Sequence, residues 1–210
     1  MIAILQRSLL RLATVLFCAA LAACQTAPRA PAGLALAYSE SIDIGGRFTT
    51  QYEQYGKPQS ISGSFEWNQT PQQTTVTLLS PLGQTVATIT STARGATMTQ
   101  ADRPPKSAAN VDQLFADTLG WPLPVSNLRN WMQGQVVDNE GHYLSATPQL
   151  TDIIDTADGW RLQYVSWQDS EAAGGPATGP AIPKRLNIER DTSYAGRVQM
   201  RLVISNWQPH

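Results

Sequence analysis

The chain has 210 residues, 42% of them hydrophobic, with 15 Lys and Arg against 16 Asp and Glu and a formal net charge of −1. This balance provides neither the basic excess of a nucleic-acid binder nor a polybasic surface for anionic lipid, so no nucleic-acid partner is expected. The length is ample for one domain with its own core.

The chain begins like a bacterial lipoprotein precursor. Arg7 and Arg11 form a basic start, and residues 12–21 form an apolar run that is too short to span a bilayer. The run leads into Leu21-Ala22-Ala23-Cys24, which resembles a lipobox. The resemblance implies cleavage before Cys24, a diacylglycerol on its sulfur and N-acylation. Acyl chains bind membranes with about 0.8 kcal/mol for each buried CH₂, so Cys24 is the expected anchor; a secretory signal with a chance cysteine is the alternative.

Cleavage and acylation decide the cysteine chemistry and the location. Cys18 leaves with the signal and Cys24 is alkylated, so the mature chain has no disulfide and needs its core for stability. Gln25 follows the cysteine, whereas an Asp there would indicate inner-membrane retention under the enterobacterial rule. We therefore expect a protein on the periplasmic face of the outer membrane of a Gram-negative bacterium. Its expected parts are the signal peptide (1–23), an acylated N-terminus and tether (24–44) and one binding domain (45–210).

Strands are predicted to dominate the domain. An Ala/Pro-rich tether ends near residue 35, and residues 36–44 are a candidate short helix. Apolar residues then recur with period two, which predicts antiparallel strands joined by short turns. The predicted strands lie near residues 46–52, 61–67, 74–79, 85–91, 95–100, 143–146, 149–156, 160–167, 184–190 and 198–204.

One turn presents an unusual residue. Ser80, Pro81 and Gly83 fit the first, second and fourth positions of a type I β-turn, which leaves Leu82 at the hairpin tip. A leucine there forgoes most of the roughly 1.5–3 kcal/mol that full burial provides. Either Leu82 is one of the single exposed leucines that most proteins carry, or it is directed at an apolar partner such as a bilayer.

Two helices interrupt the strands. Asn110 is the predicted N-cap of a helix that ends at Gly120, and Ser126 is the predicted cap of a second helix over residues 127–133. Between them lies a Trp/Pro/Leu corner, residues 121–125. We predict that Leu128, Trp131 and Met132 share one face of the second helix.

The sequence contains little that could perform catalysis. Neither His142 nor His210 has a Cys or a second His at metal-ligand spacing, and no nucleophile elbow, P-loop or dinucleotide fingerprint is present. We expect a binding protein with no enzymatic activity, no metal and no cofactor.

Several sequence blocks together resemble the LolB family of outer-membrane lipoprotein receptors. They are Gly46-Arg47-Phe48, residues 63–69 (GSFEWNQ), residues 78–85 (LLSPLGQT), residues 119–124 (LGWPLP) and residues 128–134 (LRNWMQG). The resemblance extends from about Gly46 to Trp207. It implies a mainly β fold, an unclosed antiparallel barrel of about eleven strands with a helical lid over an apolar cavity. It also implies a monomer that accepts lipoproteins from the periplasmic carrier LolA and inserts them into the inner leaflet of the outer membrane.

The resemblance also suggests roles for particular residues. The turn Pro81, Leu82 and Gly83 matches the family's protruding apolar loop, which would touch the membrane. Candidates for lining the acyl cavity are Phe48, Phe65, Trp67, Trp121, Leu123, Trp131 and Met132; core packing is the alternative for each, and for Met200, Leu202 and Ile204 both remain open. The rival function is an accessory outer-membrane lipoprotein with a filled core and no acyl ligand.

Overall fold

A computed structural model describes residues 36–121, 123–169 and 180–210. The predicted signal peptide, the anchor Cys24, the tether up to residue 35 and the predicted loop at residues 170–179 lie outside these residues. Within the described residues, no helix is long and apolar enough to cross a membrane.

Twelve strands and two helices form the described part of the chain. In chain order they are β1 (Ile42–Gln54), β2 (Lys57–Gln69), β3 (Gln73–Leu79), β4 (Thr85–Thr92), β5 (Gly95–Gln100), β6 (Arg103–Ala108), α1 (Val111–Leu119), α2 (Val125–Trp131), β7 (Gln135–Val137), β8 (Tyr143–Ser145), β9 (Ile154–Asp155), β10 (Arg161–Gln168), β11 (Ile182–Thr192) and β12 (Gly196–Pro209). Ten strands form one sheet in the order β6-β5-β4-β3-β2-β1-β12-β11-β10-β9, and β7 pairs with β8. Because β6 and β9 do not pair with each other, the sheet stays open, and the predicted fold class is confirmed.

The period-two pattern determines which face of each strand is buried. In β12, Val198, Met200 and Leu202 are buried while Gln199 and Arg201 are exposed. The buried rows of neighbouring strands are in register, so one face of the sheet is continuously apolar.

Two glycines allow the central strands to approach closely. A Cβ on Gly46 would lie 2.3 Å from the carbonyl oxygen of Val203, beside an irregularity in the β1–β12 pairing. A Cβ on Gly63 would lie 2.3 Å from the carbonyl oxygen of Leu79. Glycine is therefore required where β1 and β2 meet their neighbours.

The first helix is capped as predicted, and the second is not. Asn110 accepts a hydrogen bond from the backbone N–H of Gln113 at 2.8 Å, and Gly120 ends α1 with φ +82°. Helix α2 begins at Val125, so the prediction that Ser126 is its cap is wrong. Ser126 lies in the first turn, where its hydroxyl and N–H donate to the carboxylate of Asp112 in α1 and join the two helices.

Tertiary contacts override two other local predictions, and two short strands were not predicted. The candidate helix at 36–44 is wrong, because Ile42 and Ile44 are buried in β1 and pair with both β2 and β12. The predicted strand 149–156 shortens to β9. The short strands β6 and β7 were missed. Strand β6 lies at the sheet edge and carries two consecutive prolines, which fall at an irregularity of the β5–β6 pairing where neither is paired with β5.

Candidate functional site

An apolar cavity of about 130 Å³ lies between the inner face of the sheet and the two helices. Strands β1, β2, β3 and β12 form its floor, and α1, α2 and the corner between them cover it. Its lining is apolar except for Thr50: Phe48, Thr50, Ile61, Phe65, Trp67, Val76, Leu78, Phe115, Leu119, Trp121, Leu123, Val125, Leu128, Met132, Met200 and Leu202. Such a surface can hold a hydrocarbon group but offers little to a polar one.

Six of the seven sequence-predicted lining residues surround this one cavity. They are Phe48, Phe65, Trp67, Trp121, Leu123 and Met132. Their alternation in the strands and their place in the helical corner bring them together. Whether they contact acyl chains remains a prediction.

Trp131 is the one candidate that lies outside the cavity lining. Leu128 and Met132, four residues apart, both line the cavity, whereas Trp131 lines a different depression. The carbonyl oxygen of Trp131 accepts a hydrogen bond from the hydroxyl of the buried Tyr164 at 2.8 Å, and its ring borders a separate depression with Val137 and Tyr143. Trp131, the seventh candidate, therefore does not line this cavity.

Sequence reasoning missed several lining residues. Val76 pairs with Trp67 and Leu78 pairs with Phe65 across β2 and β3, so both face the cavity. The signal that could have found them is this cross-strand register. The other missed residues are Thr50, Ile61, Phe115, Leu119, Val125 and Leu128. Of the positions left open, Met200 and Leu202 line the cavity and Ile204 is buried in the core.

The corner between the helices closes one edge of the cavity. The rings of Trp121 and Tyr52 lie 5.3 Å apart, so the β1–β2 hairpin meets the corner there. The buried indole N–H of Trp121 has no hydrogen-bond partner among the described residues. A buried donor without a partner lowers the stability of this contact.

A buried polar cluster holds the other end of α2. The side chain of Gln133 accepts a hydrogen bond from the N–H of Ser39 at 2.8 Å and donates to the carbonyl oxygen of the same residue at 3.1 Å. Gln69 donates to Ser39 as well, and Arg129 donates to the hydroxyl of Tyr38 at 2.7 Å. The segment that follows the predicted tether is thus fixed to the end of α2.

The exposed turn at residues 80–83 is present as predicted. The N–H of Gly83 donates to the carbonyl oxygen of Ser80 at 2.9 Å, and the Ser80 hydroxyl accepts from the N–H groups of Leu82 and Gln84, each at 3.3 Å. Gly83 adopts φ +81°. Pro81, Leu82 and Gly83 are all exposed, and the Leu82 side chain is 88% exposed. Local hydrogen bonds therefore hold an apolar side chain in solvent.

The charges with shifted pKa values lie away from the cavity. Glu189 forms ion pairs with Arg161 at 3.1 Å and with Arg197 at 2.7 Å. Burial raises the pKa of Glu189, but these partners and a hydrogen bond from Gln199 outweigh it and hold the pKa below its ordinary value. Burial raises the pKa of Tyr164 strongly, so its hydroxyl stays a donor to Trp131. Within the described residues, no group of three His, Cys, Asp or Glu side chains could hold a metal ion.

An open antiparallel sheet covered by two helices, with an apolar cavity between them, defines a mainly β protein with an internal apolar space. The chain matches the family model described as "Outer membrane lipoprotein LolB" over residues 40–207. It belongs to the LolB family, as its sequence blocks predicted, and is an outer-membrane lipoprotein.

Proteins named Outer-membrane lipoprotein LolB are among its relatives. One from Cupriavidus taiwanensis is 35% identical over 164 residues, which cover 78% of this chain and 79% of the relative. One from Cupriavidus pinatubonensis is 37% identical over 155 residues, 73% of each chain. One from Bordetella petrii is 33% identical over 190 residues, 90% of this chain and 88% of the relative.

Proposed function

We propose that this protein is the outer-membrane receptor that accepts lipoproteins from a LolA-type periplasmic carrier and releases them into the inner leaflet of the outer membrane. The observation that carries the proposal is the apolar cavity between the sheet and the two helices. An accessory lipoprotein with a filled core has no use for such a space. The receptor works as a monomer, anchored through acylated Cys24, and binds the acyl chains of its cargo.

We infer that the described cavity belongs to a closed state of the receptor. Its volume of about 130 Å³ is well below the roughly 300–1,000 Å³ of ligand-binding pockets. The helices must therefore move outward to admit acyl chains. The Gln133 and Tyr164 hydrogen bonds hold the C-terminal end of α2, and the Asp112–Ser126 bonds keep the helices together. We infer that the cover opens at the Tyr52–Trp121 contact, where the Trp121 indole has no hydrogen-bond partner among the described residues.

Transfer to the receptor needs no nucleotide. A lipoprotein exposes many methylenes at about 0.8 kcal/mol each, so it stays bound to protein or membrane throughout. Each 1.4 kcal/mol by which the receptor binds the chains more tightly than the carrier biases transfer tenfold. The final step runs downhill because a bilayer buries acyl chains more completely than a cavity beneath two short helices. Leu82 marks the contact with that bilayer.

The experiment that tests this function is a transfer assay. The mature chain, residues 24–210 with Cys24→Ala, is mixed without nucleotide with a purified complex of carrier and lipoprotein. Co-purification then shows which protein holds the lipoprotein. Transfer to this chain supports the receptor function. Retention on the carrier, with the chain folded by circular dichroism, overturns it and favours an accessory lipoprotein.

A further inference from the structure

A second groove lies on the outer face of the sheet, beside the exposed turn. Its volume is about 370 Å³, and its lining includes Arg47 and Arg201, the hydroxyls of Ser62 and Ser64, and Pro81 of the turn. Neither the cavity nor the anchor uses these side chains. The groove thus places two cations beside a turn that presents an apolar residue, Leu82, to solvent.

Strand pairing places the two arginines together. Arg201 of β12 pairs with Thr49 of β1, and Arg47 lies two residues before Thr49 on the same face. Both side chains are exposed. Neither takes part in an ion pair within the described part of the chain. An acid on this face of β2, Glu66, pairs with Gly45 rather than with Arg47. The two guanidinium groups therefore keep their charge and their donors available.

The chemistry of the groove fits a phosphate. A guanidinium group presents parallel N–H donors that match two oxygens of a phosphate, and serine hydroxyls add neutral donors. Two like charges on adjacent strands disfavour each other, so an anion between them relieves a repulsion. The overall charge of the protein gives no sign of this site, because acids elsewhere in the chain balance the arginines.

We propose that this groove binds the phosphate of a membrane phospholipid when Leu82 enters the bilayer. The proposal rests on the proposed function for the position of the membrane. Pro81 lines the groove and precedes Leu82, so a bilayer that receives Leu82 brings its headgroups to Arg47 and Arg201. The arginines then hold the domain at the depth and angle at which the leucine is inserted. The position of the groove beside an exposed leucine favours a lipid phosphate over free phosphate.

The test measures vesicle binding of the mature chain, residues 24–210 with Cys24→Ala. Sedimentation gives its partition coefficient on phosphatidylcholine vesicles with and without phosphatidylglycerol. Arg47→Gln with Arg201→Gln is expected to lower binding to the anionic vesicles about 25-fold, roughly fivefold for each arginine. Arg94→Gln is the matched control, because Arg94 is also exposed but lies in the β4–β5 turn at the opposite end of the sheet. It is expected to bind like the unsubstituted chain.

Two further arms identify the ligand. At about 1 M salt, where the screening length falls to roughly 3 Å, the difference between the double variant and the unsubstituted chain is expected to disappear. Inorganic phosphate at the concentration of the lipid phosphate is expected to compete weakly. Equal vesicle binding by the double variant and the unsubstituted chain, or full displacement by inorganic phosphate, overturns the proposal.

The proposal and the proposed function fail in different experiments. If the double variant binds normally while the transfer assay succeeds, the groove proposal fails and the receptor function stands. If the transfer assay fails but the double variant alone loses vesicle binding, the groove is a lipid site on a protein with another function. Circular dichroism of both arginine variants checks that they are folded. We expect them to be, because the substituted arginines are exposed and form no ion pair within the described residues.

Discussion

Replacing Leu82 by glutamate is expected to stop release of a lipoprotein into membranes while leaving its acceptance intact. The Leu82 side chain is 88% exposed and makes no contribution to the core. Its substitution should therefore change the free energy of unfolding by no more than about 0.5 kcal/mol. The cavity lies on the inner face of the sheet and does not include Leu82, so acceptance should be unaffected.

The expected slowing of lipoprotein release follows from the apolar area that Leu82 would bury in a bilayer. Full burial of a leucine contributes about 1.5–3 kcal/mol, which corresponds to roughly 10- to 150-fold in membrane partition. Glutamate loses this gain and must also remain hydrated. We expect at least about a tenfold slower appearance of lipoprotein in sedimented vesicles, starting from receptor already loaded with cargo.

Tyr143→Glu is the matched control for this experiment. The Tyr143 side chain is 89% exposed but belongs to the two-stranded sheet β7–β8. The Tyr143→Glu variant carries the same added negative charge as Leu82→Glu and should release cargo normally. Release at the normal rate by Leu82→Glu would refute the role of the turn. Equal loss by both variants would show that added negative charge, rather than the leucine, controls release.

Three other substitutions test the cavity, the polar cluster and the ion pairs. Leu78→Gln places an amide in the cavity, where lack of a partner costs about 1–3 kcal/mol, so lipoprotein co-purification should fall at least about fivefold. Leu79→Gln, on the opposite face of β3, should leave it unchanged. Gln133→Leu leaves the Ser39 N–H without its acceptor and should lower the free energy of unfolding in urea by about 1–3 kcal/mol. The Glu189→Gln variant should lose less thermal stability on acidification than the unsubstituted chain does.

The pH dependence at Glu189 has a definite sign. The pKa of this carboxyl in the folded protein lies below its ordinary value of 4.5. Its stabilisation is therefore present above that value and is lost as the pH falls through the lower, folded pKa. The melting temperatures of the unsubstituted chain and of Glu189→Gln should begin to converge as the pH falls below 4.5 and should coincide once the pH is below the folded pKa. A constant difference between the two curves across this range would contradict the expectation.

The other two substitutions have equally clear opposing outcomes. Equal loss of lipoprotein binding by Leu78→Gln and Leu79→Gln would mean that the inner face of β3 has no special role. An unchanged urea midpoint and slope for Gln133→Leu would mean that the segment at Ser39 is not held by the buried amide. Hydrogen exchange at the Ser39 N–H provides a direct second measurement of that contact.

The extent of prediction differs from element to element for physical reasons. In β12 the apolar residues alternate with polar ones along most of the strand, so both the strand and its buried face could be predicted from the sequence. In residues 36–44 the local pattern allowed a helix, and only the partners of Ile42 and Ile44 on two neighbouring strands made it a strand. Short elements such as β7 contain too few residues for a period to emerge.

The site shows the same division. The strand candidates for the cavity were found because an aromatic side chain on the buried face of a strand is visible in the alternation. Trp131 was grouped with Leu128 and Met132 because helical spacing puts all three on one side of α2, but which of them reaches the cavity depends on how the helix lies on the sheet. Arg47 and Arg201 are far apart in the chain, and only the β1–β12 pairing brings them to one groove.

The sequence by itself determined the family, most of the strands and a turn that presents Leu82 to solvent, because each depends on residues close together in the chain. Its prediction that Cys24 is the lipid anchor has the same local basis. Only the tertiary structure decided which apolar residues enclose a cavity and which fill the core, because that depends on how closely the helices approach the sheet. The tertiary structure also placed two arginines beside the turn, since strand pairing joins distant segments.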